Sequence, residues 1–555
     1  MFVTTDKLDY SNIMFYNYRV YLYKKGGYPM KQIKKPLSIL LSLILAFSVF
    51  SIFSFEVGAD TASIQYIDRS WDEETKTVTE TVKTLENPPV FEQDHYTGNV
   101  TVGDGWLFVD RNITIDQTMY ISEGYHVNLI IANGCTLTVK GGIYVRENAA
   151  FSVYGQQGDT GKLYATNEYD ENEVAPIDGD TGSARFNVYG ATIEAISDNR
   201  GTAGIGRNTS SAYADNNFTI TIWGGKVTAE GGNFRAGISG RITIYGGTVN
   251  ATGGTFGAGI GGGSERGGGY ITINGGEVTA IGGAEGAGIG GGNYGNSGNI
   301  TINSGKVNAY GGCVGAGIGG GNYGGGVNIT INGGEIIAQS TDINTEGIAV
   351  GEGAGIGGGY HGNGGNITIN GGSVSVINCS DGAAGIGGGY RGSGGNITIN
   401  GGVVEVWAAG CGIGCSDGYI GDEQSDITLN WTEASRETMS VRTDKYRGTV
   451  TLQNDFFGYS SDEIVLFSST DIINNDDMQG ITLKPPKMGD ANYDGVIDVC
   501  DATAIQRHIA DIEQLFNEAL LLGDVNCDGI IDIADVTLVQ MYIAGCDVSF
   551  GAETV

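Results

Sequence analysis

Basic residues are scarce: 30 Lys and Arg stand against 63 Asp and Glu, and no basic patch interrupts the acidic balance. A net charge of −33 makes nucleic acid and anionic membrane poor partners and disfavours acidic substrates, because like charges repel at close approach. Histidine is nearly absent, with His95, His126, His361 and His508 the only four. Paired acids are also missing from most of the chain, and hydrolases that work with two carboxylates need both across one bond. None of the eight cysteines forms a CxxC pair. Cys135, Cys313, Cys379, Cys411 and Cys415 sit singly or nearly so, where cysteine behaves as a small buried hydrophobe, so no disulfide pattern is assigned.

What is abundant is glycine, 97 residues of it, arranged in one recurring phrase. Gly257–Gly263 reads Gly-Ala-Gly-Ile-Gly-Gly-Gly and is followed by Ile271-Thr-Ile-Asn-Gly-Gly276. Close copies begin at Gly286, Gly315, Gly353 and Ala383. Self-similarity at a fixed period marks stacked units that bury their apolar faces only against their neighbours. A helical repeat fails on the glycines, each of which costs about 1 kcal/mol against alanine inside a helix.

Strands alternate faces with a period of two, so in Ile-Thr-Ile both isoleucines point one way and the threonine the other. The same phase returns in Val278-Thr-Ala280, Val307-Asn-Ala309, Val374-Ser-Val376 and Val404-Glu-Val406. The third face, Ala-Gly-Ile-Gly, carries one large inward residue. Three short strands per coil, with glycine supplying positive φ at the corners, describe a parallel β-helix. The period is 22 residues from Ile238 to Ile260 and 29 from Ile260 to Ile289 and on to Ile318, the extra residues forming a loop after the glycine triplet. Those loops leave at one corner and line one side of the body.

The fold class expected is therefore mainly β, a solenoid spanning 97–482 with irregular caps. Residues 1–29 read as an upstream start called too early, since Met30-Lys-Gln-Ile-Lys-Lys35 and the apolar run from Leu37 form a signal peptide over 30–59. A transmembrane anchor is the alternative for that run. Residues 60–96 read as an extended lead-in, 483–488 as a linker and 548–555 as a tail. Irregular coils begin near Val100, and the stretch from Ile427 to Phe467 is expected to cap the far end. About a dozen coils at ~4.8 Å give a body about 55–60 Å long.

Stacking turns sequence positions into rows. Asn274, Asn303, Asn332, Asn370 and Asn400 form one, and Asn299, Asn328, Asn366 and Asn396 another, each amide able to bond its copies above and below. Tyr294, Tyr323, Tyr360 and Tyr390 fall four or five residues past successive isoleucines and are candidates for stacking sugar rings, or for simply packing on each other. The longest coil, Ile318 to Ile356, carries Asp342, Glu346 and Glu352 shortly before His361, the weak candidates for catalysis on a 339–362 insertion; solvated loop acids are the alternative. His361-Gly362 is similar to a dipeptide of pectinolytic β-helix families, without their upstream aspartate cluster or downstream basic motif.

After Pro485-Pro486 the composition changes. Asp490, Asn492, Asp494, Asp498 and Asp501 occupy positions 1, 3, 5, 9 and 12 of a loop with Gly495 at 6 and the Val496 carbonyl at 7. The pattern returns 34 residues later as Asp524, Asn526, Asp528, Ile530, Asp532 and Asp535. Six or seven oxygens so spaced wrap a hard cation such as calcium, with aspartate where an EF-hand has glutamate. Each loop opens into an apolar-periodic helix, expected over Ala502–Ile512 and Val536–Ala544. Twelve acids against one arginine between 490 and 547, a net charge of −11, would repel one another without a cation.

This duplicated unit, over 489–547, resembles a type I dockerin. The resemblance implies a small all-α domain holding two Ca2+ ions and docking to a cohesin module of a cellulosome-type scaffold. It also implies that cohesin is contacted by Val499, Cys500, Gln506 and Arg507, and by Ile533, Ala534, Gln540 and Met541. Many dockerins carry a Ser-Thr pair where this chain has Val499-Cys500 and Ile533-Ala534. The body resembles glycine-rich β-helix modules on secreted proteins of anaerobic Gram-positive bacteria. Two functions stay open: a secreted, cell-surface-associated component whose body binds plant cell-wall polysaccharide for degradation, or a β-helix glycoside hydrolase or polysaccharide lyase.

Overall fold

The computed structural model describes residues 14–16, 19–21 and 63–550, apart from 169–173, 181–182, 199–200, 207–217, 341–350, 379–381, 417–424, 433, 437, 460–463, 468, 470–479, 493, 495, 517 and 549. The chain divides into two units, Met1–Thr61 and Ala62–Val555. In the first, Met14–Tyr16 pairs antiparallel with Arg19–Tyr21. The expected signal peptide lies outside the described residues, among which no helix is long and apolar enough to cross a membrane.

Most of the second unit is a β-helix. Its three sheets hold 13, 13 and 16 strands among the described residues, and the last three strands of the largest are antiparallel. The alternation expected from the sequence holds through the repeated coils: Ile300 and Ile302 are buried while Thr301 faces outward, and Val307 and Ala309 are buried around an outward Asn308. Register stacks like on like, as in Ile260, Ile289, Ile318, Ile356 and Ile386. One continuous core from Phe91 to Leu483 results, in which each buried isoleucine contributes about 1.5–3 kcal/mol. The 38-residue step from Ile318 to Ile356 keeps both in register, so the insertion leaves the strands undisturbed. Glycine in the third sheet is required by close approach: at Gly319 φ is +151° and a Cβ would lie 1.9 Å from the Gly357 carbonyl oxygen.

Both ends differ from expectation. The body begins before residue 97, since Val90 bridges Phe108 and His95–Tyr96 pairs with Thr114 and Ile115. At the far end Asp426–Leu429 is a regular coil strand, followed in register by Thr449–Leu452. The lid is an antiparallel set of Phe456–Tyr459, Ile464–Phe467 and Thr482–Lys484, the last pairing with Ser440–Thr443. Antiparallel pairing consumes an edge that would otherwise offer free amides and carbonyls to other chains.

The lead-in is not merely extended. Ser63–Asp72 and Thr77–Glu86 form an antiparallel hairpin, its turn set by Asp72 Oδ1 accepting from the amides of Glu74 and Thr75 at 2.8 and 2.9 Å. It lies on an aromatic row along the Ile-Thr-Ile sheet. Tyr154 within its strand and Tyr189, Trp223 and Tyr245 just after theirs line up on successive coils, with centroids 4.5, 5.9 and 4.3 Å apart and nearly parallel planes. Tyr66 of the hairpin meets Trp106 at 4.8 Å and Trp71 meets Tyr245 at 5.1 Å. Buried Arg69 pins the middle, donating to Asp159 (2.7 Å), Glu80 (2.8 Å) and the Tyr189 carbonyl oxygen. Gly190 and Gly224 leave room for it, since a Cβ on either would come within 2.7 and 2.5 Å of the arginine. In the next coil the same row changes from Tyr245 to Asn274, and asparagine continues to Asn430.

Among the described residues three helices follow the lid: α1 (Val499–Ile509), α2 (Glu518–Gly523) and α3 (Ile533–Ile543). The helices α1 and α3 start three residues earlier than the apolar pattern suggests, because loop positions 9 and 12 also form a capping box. Asp498 and Asp532 are the N-caps, and Asp501 and Asp535 return their carboxylates to the cap amides. Ala502, Ile505, Val525, Val536 and Val539 are buried together in a small core between the two repeats.

Candidate functional site

Each acidic loop is organised by its own side chains. Asp501 reaches back from α1, its Oδ1 accepting from the Asn492 amide at 3.0 Å and Oδ2 from the Asp498 amide at 2.8 Å. Asp535 does the same with Asn526 (3.1 Å) and Asp532 (2.8 Å). Asn492 Oδ1 accepts from the Asp494 amide and Asp494 Oδ1 from the Val496 amide, both at 2.9 Å; Asn526, Asp528 and Ile530 repeat this at 2.9 and 2.8 Å. The N-caps adopt φ −141° and ψ −166° in both repeats. The loops are thus two copies of one geometry.

That geometry fits a hard divalent cation. Asp490, Asp501 and Asp535 are fully buried. The Asp501 carboxyl is pushed above its ordinary range, first by burial and further by the charges of Asp494 and Asp498, against the pull of two backbone hydrogen bonds. A cation among these oxygens would reverse that penalty. Among the described residues no three His, Cys, Asp or Glu side chains converge closely enough to hold a metal by themselves. The loop carboxylates are turned onto backbone amides, and a calcium loop draws further ligands from an asparagine oxygen and a peptide carbonyl, here Asn492 and Val496 or Asn526 and Ile530. The positive ends of the helix dipoles favour the charged form of the N-cap and first-turn aspartates, the form a cation needs, though not the cation itself.

The eight residues expected to contact cohesin all lie at the surface. Val499 and Ile533, at position 10 of each loop, are each 65 % exposed, and Cys500, Gln506, Arg507, Ala534, Gln540 and Met541 are exposed too. Beside them Val496 and Ile530 are bare, so each repeat presents an apolar spot next to its loop. The helix α2 was missed from sequence, although the run Ala519–Leu522 signalled it; Leu522 accepts from the Gly489 amide at 2.9 Å and so ties it to the first loop.

On the solenoid, the four tyrosines gather at one corner but in two rows. Tyr294 and Tyr323 stand five residues past their isoleucine and share a row with His361 and Arg391; Tyr360 and Tyr390 stand four past and share a row with Asn293 and Asn322. Each has a ring neighbour on at least one side, while Tyr294 and Tyr323 remain 61 % and 48 % exposed. Tyr294 stacks on Tyr323 at 5.1 Å, Tyr323 on His361 at 5.4 Å and Tyr360 on Tyr390 at 5.7 Å. A ring face covered by a neighbour offers a sugar only its edge and hydroxyl. Glu352 comes to the same corner, where its carbonyl oxygen accepts from the Tyr390 amide at 2.9 Å. Partial burial, then the Glu352 charge, push the Tyr360 phenol above its ordinary range. Asp342 and Glu346 lie outside the described residues.

The outward side of the Ile-Thr-Ile sheet carries the two asparagine rows. Nδ2 of Asn303, Asn332, Asn370 and Asn400 donates to Oδ1 of the preceding copy at 2.7–2.8 Å. Asn328, Asn366 and Asn396 do so at 2.7, 3.1 and 2.9 Å.

Seven segments, 220–240, 242–264, 271–293, 300–322, 329–360, 367–390 and 397–419, match the beta helix repeat family. Residues 488–544 match the dockerin type I domain. No curated protein and no solved structure matches the chain. The second unit therefore joins a body of β-helix repeats to a C-terminal type I dockerin domain, the class of module that binds calcium and docks to cohesin.

Proposed function

We propose that this protein is an exported component of a cellulosome-type complex, tethered through its calcium-loaded dockerin to a cohesin module while its β-helix body engages plant cell-wall polysaccharide and serves its degradation. The observation that carries the reading is the pair of loops with one geometry, each placing Val499 or Ile533 and its neighbours at the surface. One ion would sit in each loop, held by Asp490, Asn492, Asp494, Val496, Asp498 and Asp501, and by Asp524, Asn526, Asp528, Ile530, Asp532 and Asp535. The two cations offset part of the −11 carried by residues 490–547, where it is most concentrated, and fix the start of α1 and α3, which presents the docking side chains. The dockerin match supports an extracellular setting, and the signal peptide read at 30–59 agrees with it.

The full chain should be captured by a cohesin module from the same genome in calcium and released by chelator. A variant with Val499→Asp and Ile533→Asp together should lose capture. Failure of every such cohesin to bind the calcium-loaded chain overturns the tethering.

An enzymatic reading keeps one specific support: Glu352 lies beside Tyr360 and Tyr390, at the corner that also holds His361. Incubation with pectin, xylan, mannan and cellulose, with both retention and released sugar measured, separates the two readings. Release of product that Glu352→Gln abolishes would establish the enzyme.

A further inference from the structure

The outward side of the Ile-Thr-Ile sheet has two halves. Over the N-terminal coils it is aromatic and lies beneath the hairpin; from Asn274 onward the hairpin is gone and the side is a lattice of three rows. Across the coils at 299, 328, 366 and 396 each strand presents asparagine, threonine and asparagine outward, as in Asn299, Thr301 and Asn303. Not one of these positions is charged, in a chain whose net charge is −33.

We propose that this bare lattice is the docking surface for an insoluble, uncharged, β-linked polysaccharide. The inference rests on the polysaccharide reading above but moves the contact from the tyrosine corner to the flat side.

Three observations carry it. The amides are locked into ladders running in one direction, so their orientation is set before any partner arrives and little side-chain entropy remains to be lost. Each amide still has one N–H and one oxygen lone pair unused by its ladder. The hydroxyls of Thr301, Thr330, Thr368 and Thr398 make no side-chain hydrogen bond among the described residues, which leaves one free donor and acceptor per coil. Such a side offers hydrogen bonds at a fixed step of about 4.8 Å and no charge. An anionic glycan or nucleic acid finds no counter-charge there and meets the repulsion of the whole chain. A flat array of aligned neutral sugar chains, with hydroxyls repeating at a similar step, satisfies it.

The test uses the full calcium-loaded chain on microcrystalline cellulose and insoluble mannan, with polygalacturonate beads as the anionic control. One variant carries Thr301→Val, Thr330→Val, Thr368→Val and Thr398→Val, which keeps the β-branched shape and removes the hydroxyls. A second carries Thr330→Lys alone, and a third Tyr294→Ala with Tyr323→Ala. Circular dichroism and the thermal midpoint confirm folding of each. The wild type and the tyrosine variant should be retained on a neutral solid in preference to polygalacturonate, and the valine variant should partition about tenfold less, with the lysine variant also weakened. Retention that survives in both threonine variants but disappears with the tyrosines overturns this inference and leaves polysaccharide binding standing. No retention of the wild type overturns both. Threonine-dependent ice shaping or self-association without glycan retention gives the lattice to another occupant and likewise overturns it.

Discussion

Tyr446 stands where an isoleucine would continue the row, in register with Ile413. It is fully buried and its hydroxyl finds no hydrogen-bond partner among the described residues, and burial pushes the phenol far above its ordinary range. A buried hydroxyl with no partner costs more than it returns. Tyr446→Phe should therefore stabilise the body by about 1 kcal/mol, read as a higher denaturation midpoint. A lower midpoint would mean the hydroxyl is satisfied in solution. At this scale the sequence was most legible where residue type and phase agree: isoleucines in, threonines out, asparagines in ladders. The four tyrosines gather at one corner as expected but divide into two rows, because four and five residues past an isoleucine look alike in sequence yet are neighbouring rows in space. The aromatic row beneath the hairpin escaped notice because its coils vary in length, although Tyr189, Trp223 and Tyr245 each follow their strand as Asn274 does.

Among elements, the hairpin depends most on one group. Among the described residues its strands pair only with each other, and it is attached through Tyr66, Trp71 and the arginine between them, helped by Ile64 and Leu85 in the same apolar cluster and by Gln156, which donates to the Gln65 carbonyl at 3.1 Å. Replacing Arg69 by alanine leaves Asp159 half-buried without its cation, at a cost of about 2–3 kcal/mol, since Glu80 is solvated and loses little. Amides of 63–86 should then exchange faster, while those of the coils from 299 to 400 keep their protection. Unchanged exchange in the hairpin would show that the rings alone hold it. Nothing in the alternation of Thr75 to Val82 announced this role, because attachment is decided by side chains far along the chain, from Trp106 to Tyr245. Helix starts were misplaced for a local reason: the same aspartates serve as caps and as ligand candidates, so the loop and the helix overlap.

At the scale of the molecule, two kinds of stability share one chain. The solenoid is held by stacked isoleucines and backbone ladders that no cation touches, whereas the tail depends on cancelling its own charge. Chelation should melt α1 and α3, seen as lost helical ellipticity, and leave the β signal and its thermal transition in place. Calcium at a hundredfold its dissociation constant should restore about 2.7 kcal/mol per site to the tail alone. Loss of both signals together would show that the two parts fold as one. The repeated coils between Asn274 and Asn430 carry a different consequence. Because strap and lids belong to the ends, whole turns can be gained or lost from the middle by simple duplication, and the chain can change its length over generations without having to invent a new shape.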